Sequence, residues 1–248
     1  MKKIILILTF CIGVVSAGTL HVATAANMSY AMEALKAAFE KHAPHTHIEV
    51  MIGGSGKLAA QIRQGAPYDL FLSANMRYPQ KLFEMGAAVE KPVMYAQGAL
   101  VLLSKRPRAF EKGLKLLTSD TIHKIAIANP KTAPYGVAAV EALKKAGLYE
   151  ALRLKFVYGE SISQTITYTL RAADIGLVAK SALMAPQMQR FQKGTHWMDI
   201  DTVLYTPIAQ GMVLLKRAKQ NSEAKAFYDF MQSEEAGEIL RDYGYRLP

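Results

Sequence analysis

Apolar positions in this chain follow two alternating rhythms. "TLHVATAA" (19–26) is a short, nearly continuous apolar run and predicts a strand. "NMSYAMEALKAAFEKH" (27–42) returns an apolar residue every three or four positions. Ala31, Met32, Leu35 and Phe39 then share one face of a helix. "HIEVMIGG" (47–54) predicts a second strand, "SGKLAAQIRQGAP" (55–67) a helix stopped near Gly65-Ala66-Pro67, and "YDLFLSAN" (68–75) a third strand. "HKIAIANP" (123–130) and "DIGLVAK" (174–180) continue the alternation. Strands separated by helices predict an α/β fold of parallel sheets packed between helix layers. Ligands of such sheets sit at the carboxyl ends of strands, where the next helix begins.

An internal echo refines that picture. "YAQGALVLLSK" (95–105) and "IAQGMVLLKR" (208–217) are apolar segments entered through the same Ala-Gln-Gly, more than a hundred residues apart. A glycine in one strand alone marks a bulge or a close contact. The pair predicts two crossover strands joining two lobes, with glycines to absorb a hinge motion. Lobe one is expected at 18–97 and 210–248, and lobe two at 98–209. The amphipathic "SEAKAFYDFMQSEEAGEIL" (222–240) predicts helices closing lobe one.

Composition decides the compartment. Of 248 residues 51% are hydrophobic and 20% charged, an ordinary globular balance. Lys2 and Lys3, the apolar run from Ile4 to Val15 and the small residues Ser16-Ala17 predict a secretory signal over 1–17, with the mature chain beginning at Gly18. The run is too short to span a bilayer core of about 30 Å. A lipid anchor on Cys11 is the rival reading, and bulky Phe10 before it argues against lipidation. The expected location is the periplasm. The only cysteine leaves with the leader, so the mature chain has no disulfide, thiol nucleophile or cysteinyl metal site. The 30 Lys and Arg, less Lys2 and Lys3, leave 28 against 20 Asp and Glu. Without basic runs or interleaved aromatics this charge does not predict nucleic-acid binding; it favours steering of an anionic ligand.

Four strand-to-helix corners carry the candidate chemistry. "GGSGK" (53–57) resembles a phosphate loop, but Met51 stands where its first Gly should be and Leu58 where its Ser/Thr should be. What remains is a Gly/Ser turn feeding a helix, whose free amides attract anions of any kind. Ser55 is the expected cap there and Asn27 the expected cap in "TAANMSYAM" (24–32). In "NPKTAPYGVAAVEAL" (129–143) Pro134 suits the first helical position. In "YGESISQTITYTL" (158–170) Ser161 is the expected cap and Ile162 the helix start. Taken singly each corner reads as a structural cap. Two from each lobe, all at ligand-binding ends, predict an oxyanion held by dipoles without a countercharge. Such donors favour a fully deprotonated tetrahedral anion, since a protonated one needs an acceptor such as Asp. Glu160 is the nearest acid.

"VATAANMSYAM", "GGSGKLAAQIRQGAPYDLFLSAN", "IANPKTAPYGVAAVEAL", "GESISQTITYTL" and "AFYDFMQSEEAGEILRDYGY" resemble the periplasmic molybdate-binding proteins of ABC importers over essentially the whole mature chain. The resemblance implies a type II periplasmic binding protein fold, with two lobes joined by two crossover strands and an oxyanion in the cleft. It implies a non-enzymatic, monomeric carrier without cofactor that takes molybdate or tungstate and serves a membrane permease and its ATPase. Carried over by position, the ligand contacts are Ala26, Asn27, Ser55, Tyr135 and Ile162. One branch of the family has Tyr where this chain has Ala179, so a further contact is left unassigned. Two readings stand beside it: the same fold holding sulfate, phosphate or a small organic anion, and a secreted hydrolase using Ser55. For the latter, no G-x-S-x-G occurs. "HAPHTH" (42–47) lacks zinc-site spacing and reads as a solvated loop. Tyr243 and Tyr245 read as packing residues and the methionines as core filler.

Overall fold

In the computed structural model, which describes residues 19–248, β1 (Thr19–Ala25) is the first strand laid down and sits inside a five-stranded sheet. The expected leader, 1–17, lies outside the described residues. β1 pairs in parallel with β2 (His47–Gly53) and with β3 (Leu70–Ser73). α1 (Ser29–His42), α2 (Ser55–Arg63) and α3 (Arg77–Glu84) connect and follow these strands. β4 (Val93–Gly98) closes the sheet through β10 (Ile208–Leu214), giving the order β2-β1-β3-β10-β4. α7 (Ser222–Phe230) and α8 (Glu234–Asp242) return to this lobe. Leu20, Val22, Met32, Leu35, Phe39, Phe227 and Leu240 fill one face of the sheet, and Leu58, Ile62, Phe71 and Leu82 the other.

The second lobe repeats the plan. β5 (Leu100–Leu103), β6 (Ile125–Ala128), β7 (Phe156–Gly159), β8 (Ile175–Ala179) and β9 (Trp197–Asp199) form a sheet in the order β7-β6-β8-β5-β9. α4 (Pro134–Lys145), α5 (Tyr149–Leu152) and α6 (Ile162–Arg171) flank it. β6 is parallel to β7 and β8. This is an α/β protein of two lobes with two crossings.

The sheets differ from expectation in being mixed. β10 runs antiparallel to β3 and β4, and β5 antiparallel to β8 and β9. The reason is topological: β10 and β5, the strands that enter a lobe through a crossover, run against its helix-connected strands. The segment 95–105 is likewise two strands, not one, because Ala99 passes the chain from one sheet to the other. The echoed segments meet side by side, with Gly98 opposite Ile208 and Gln97 opposite Ala209. The register slips between Gln210 and Gly211, which pair with Ala96 and Met94, so Tyr95 is the extra residue and the bulge is in the outgoing strand β4. The Tyr205 hydroxyl accepts the Leu100 N–H at 3.1 Å, fastening the two crossings to each other.

Candidate functional site

β1 and β2 are parallel neighbours in one lobe, as are β6 and β7 in the other, so each lobe presents two adjacent carboxyl ends. Those four ends meet around a small cavity. Ala26, Asn27, Ser55, Tyr135 and Ile162 all line it, together with Ala25, Gly53, Gly54, Ala74, Ala133 and Pro134. None of these side chains is charged.

Helix starts supply the donors. Within α2, Gly56 donates to the Thr132 carbonyl (2.9 Å) and Leu58 to Gly54. Within α4, Gly136 and Val137 donate to Ala133. Within α6, Gln164 donates to Ser161 Oγ (3.2 Å) and Thr165 to the Ser161 carbonyl. The first-turn N–H groups of Ser55, Tyr135 and Ile162 have no such acceptor among the described residues. Each stands at the positive end of its helix. Pro134 opens α4 as expected, and Ser161 caps α6 as expected.

Two of the expected caps are corrected. Asn27 lies inside a short 3-10 turn, Ala26–Met28, that ends β1 one residue early; the position before α1 is Met28, without a side-chain cap. At α2 the cap position is Gly54, and Ser55 is the first helical residue. Residue type announces a helix start but not which backbone group its oxygen serves. Ser55 Oγ accepts the Ala74 N–H at 2.9 Å, which leaves its own proton to donate into the cavity. Its partner is an amide rather than an imidazole, so nothing here makes it a nucleophile.

Asn27 is 1% exposed and fully engaged on one side. Its Nδ2 donates to Gln210 Oε1 (2.9 Å) and to the Tyr245 hydroxyl (2.7 Å). The Gln210 amide is oriented in turn by donating Nε2 to the Ile208 carbonyl at 2.8 Å. The Asn27 carbonyl accepts from Tyr245 (3.0 Å) and, across the cleft, from Ser181 Oγ (2.9 Å). Ser163 Oγ, also from lobe two, donates to the Ala26 carbonyl at 3.0 Å. Asn27 Oδ1 and the Tyr135 hydroxyl are buried without a hydrogen-bond partner among the described residues. Burial, reinforced by Tyr245, Tyr95 and Tyr205, pushes the Tyr135 hydroxyl well above the usual tyrosine range. Burial does the same to Tyr245, against the opposing pull of Ser181 and Asn27, so both rings stay neutral.

Gln210, Ser163, Ser181 and Tyr245 are the participants that sequence reasoning passes over. Gln210 belongs to the Ala-Gln-Gly echo, read above only as a hinge signal. Tyr245 was read as packing, and nothing local points it at Asn27. Ala179 is fully buried at the end of β8 and does not line the cavity. "HAPHTH" holds no metal cluster among the described residues; His42 instead meets Glu235 at 2.8 Å.

The family model of bacterial extracellular solute-binding proteins matches residues 20–246. The chain is 41% identical to the molybdate-binding protein ModA of Rhodobacter capsulatus, over 93% of this chain and 89% of that one. It is 37% identical to ModA of Azotobacter vinelandii, over 93% and 91%. The solved structure of the Azotobacter vinelandii periplasmic molybdate-binding protein superposes with a TM-score of 0.86 at 33% identity, over 92% of this chain and 99% of that one. With its two lobes, two crossings and uncharged cavity between them, the chain belongs to the bacterial extracellular solute-binding protein family.

Proposed function

We propose that this protein captures molybdate, and tungstate with it, between its lobes and delivers the ion to the permease and ATPase of an ABC importer. The observation that carries the reading is the cavity: Ala26, Asn27, Ser55, Tyr135 and Ile162, from four strand ends of two lobes, line one uncharged space. The donors are the amides of Ser55, Tyr135 and Ile162 and the Ser55 hydroxyl. Asn27 and Ala26 shape the remaining wall, their carbonyls drawn off by Ser181 and Ser163. Lobe one comprises 18–97 and 210–248 and lobe two 98–209, a division supported by the membership of the two sheets. In this reading the protein is exported through a cleaved signal at 1–17 and acts in the periplasm as a monomer. The ModA relatives support the choice of ion.

Calorimetric titration of the mature protein with molybdate, tungstate, sulfate and phosphate tests the proposal. Molybdate and tungstate are expected to bind comparably. Smaller sulfate leaves some buried donors unmade, at about 1–3 kcal/mol each, or roughly 5- to 150-fold per bond. Phosphate, protonated near neutral pH, loses further because the lining carries no carboxylate. Tighter binding of sulfate or phosphate would replace molybdate as the ligand.

A further inference from the structure

Beside the anion cavity a second, larger groove runs along the junction of the lobes. One wall is α2 and α3 of lobe one, with Lys57, Arg63, Arg77 and Lys81. The other is the turn before α4 and the start of α6 in lobe two, with Lys131, Thr132 and Glu160. None of the five cations stands within ion-pair distance of a carboxylate among the described residues. The single acid, Glu160, accepts from Asn129 Nδ2 at 3.2 Å. A second basic cavity, at Lys105, Arg106, Arg108 and Arg171, lies on lobe two alone, and Arg108 there faces Asp174 at 4.0 Å. The junction groove is therefore distinctive in both its unbalanced charge and its two-lobed construction.

Among the described residues its two walls are joined by one hydrogen bond, the Gly56 N–H to the Thr132 carbonyl at 2.9 Å. A Cβ on Gly56 would stand 2.9 Å from that carbonyl oxygen and 2.7 Å from the Tyr78 hydroxyl, so only glycine permits this approach. Lys131 joins the lobe-one cations only while the walls are together. The full set of five is thus a property of the closed form.

Resting on the delivery role proposed above, we infer that this groove docks an acidic face of the importer's membrane-spanning subunit and reads the closed state. A partner that shifts the lobes must bind the open and closed forms differently, which requires contact with both lobes. Charge complementarity sets the encounter rate and the register of such a contact. Large apolar and aromatic side chains are exposed on the strands that lead to the junction: Met51 (50% exposed) and Ile52 (47%) near the end of β2, and Tyr158 (43%) in β7. Apolar and aromatic anchors ringed by charge are the composition of protein interfaces. The groove is larger than the anion cavity, too roomy to immobilise a tetrahedral ion.

The test uses the mature protein with proteoliposomes holding the importer's permease and ATPase. Variants are Arg63→Glu with Lys81→Glu in lobe one, Lys131→Glu in lobe two, and Arg63→Ala with Lys81→Ala as a milder pair. Molybdate affinity by calorimetry and the melting temperature are expected to stay at wild-type levels. The concentration giving half-maximal ATPase stimulation is expected to rise about tenfold for each charge reversal, and less for the alanine pair. Raising salt from about 50 to 300 mM should weaken wild-type stimulation in the same direction. An unchanged stimulation curve overturns the inference. So does a slower molybdate on-rate with unchanged stimulation, which would make the groove an ion funnel. Loss of binding to anionic phospholipid vesicles lacking the importer, with stimulation intact, would assign it to the lipid surface. Failure of the wild type to bind molybdate in the calorimeter refutes the ligand instead, and is read separately.

Discussion

Ser55 and Asn27 occupy one cavity wall and do different work. Ser55 spends its lone pair on the Ala74 N–H and keeps its proton for the ligand. Ser55→Ala is expected to cost about 1.5–3 kcal/mol of anion affinity, the range for a hydrogen bond to a charged group, which is roughly 10- to 150-fold. Asn27 spends both Nδ2 protons inside lobe one, on Gln210 and Tyr245. Asn27→Ala strands two buried partners, each worth about 1–3 kcal/mol. It should therefore lower the melting temperature, by about 2–4 °C per kcal/mol in a chain of this size, as well as weaken binding. Calorimetry and thermal unfolding run on both variants separate the roles. Unchanged affinity in Ser55→Ala would remove it from the site.

At the scale of elements, the site depends on how closely α4 approaches the strand before it. Pro134 fixes the first turn, and Gly136 lies so near β6 that a Cβ there would overlap the Ala128 carbonyl. The backbone itself would have to shift, so Gly136→Ala should displace the start of α4 and with it the Tyr135 amide. The expected outcome is a fall in both melting temperature and molybdate affinity. An alanine variant with wild-type affinity would show that the Tyr135 amide is not a donor. Helix starts were legible in sequence because Pro134, Ser161 and the Gly53-Gly54 turn have strong local preferences. Strand direction was not, because the crossing at Ala99 leaves no local mark: an apolar run reads the same whether it stays in its sheet or changes sheets.

Across the whole molecule, closure is fastened by hydrogen bonds between lobes, three of which stand out among the described residues. They are Ser163 Oγ to the Ala26 carbonyl, Ser181 Oγ to the Asn27 carbonyl, and the Gly56 N–H to the Thr132 carbonyl. All three form only when the lobes meet, so they hold the bound ion in rather than help it enter. Ser163→Ala combined with Ser181→Ala removes two bonds of about 0.5–1.5 kcal/mol each. Stopped-flow measurement should find molybdate dissociation faster by about 5- to 150-fold with the association rate unchanged. A slowed association instead would assign the serines to capture.

Resemblance to a known family supplied the five residues that the fold brings to one cavity; the sequence by itself determined the alternation of strand and helix, the pair of crossings and the helix starts at four corners. These are local properties: apolar period, turn chemistry and the donors at a helix start belong to short stretches of chain. The tertiary structure alone decided which atoms remain free at that cavity. Tyr245 reaches Asn27 across 218 positions and Gln210 reaches it across 183, separations that no periodicity encodes. It alone also assembled Lys131 with the cations of α2 and α3, since charge patterning along the chain is blind to residues that meet only when two lobes close.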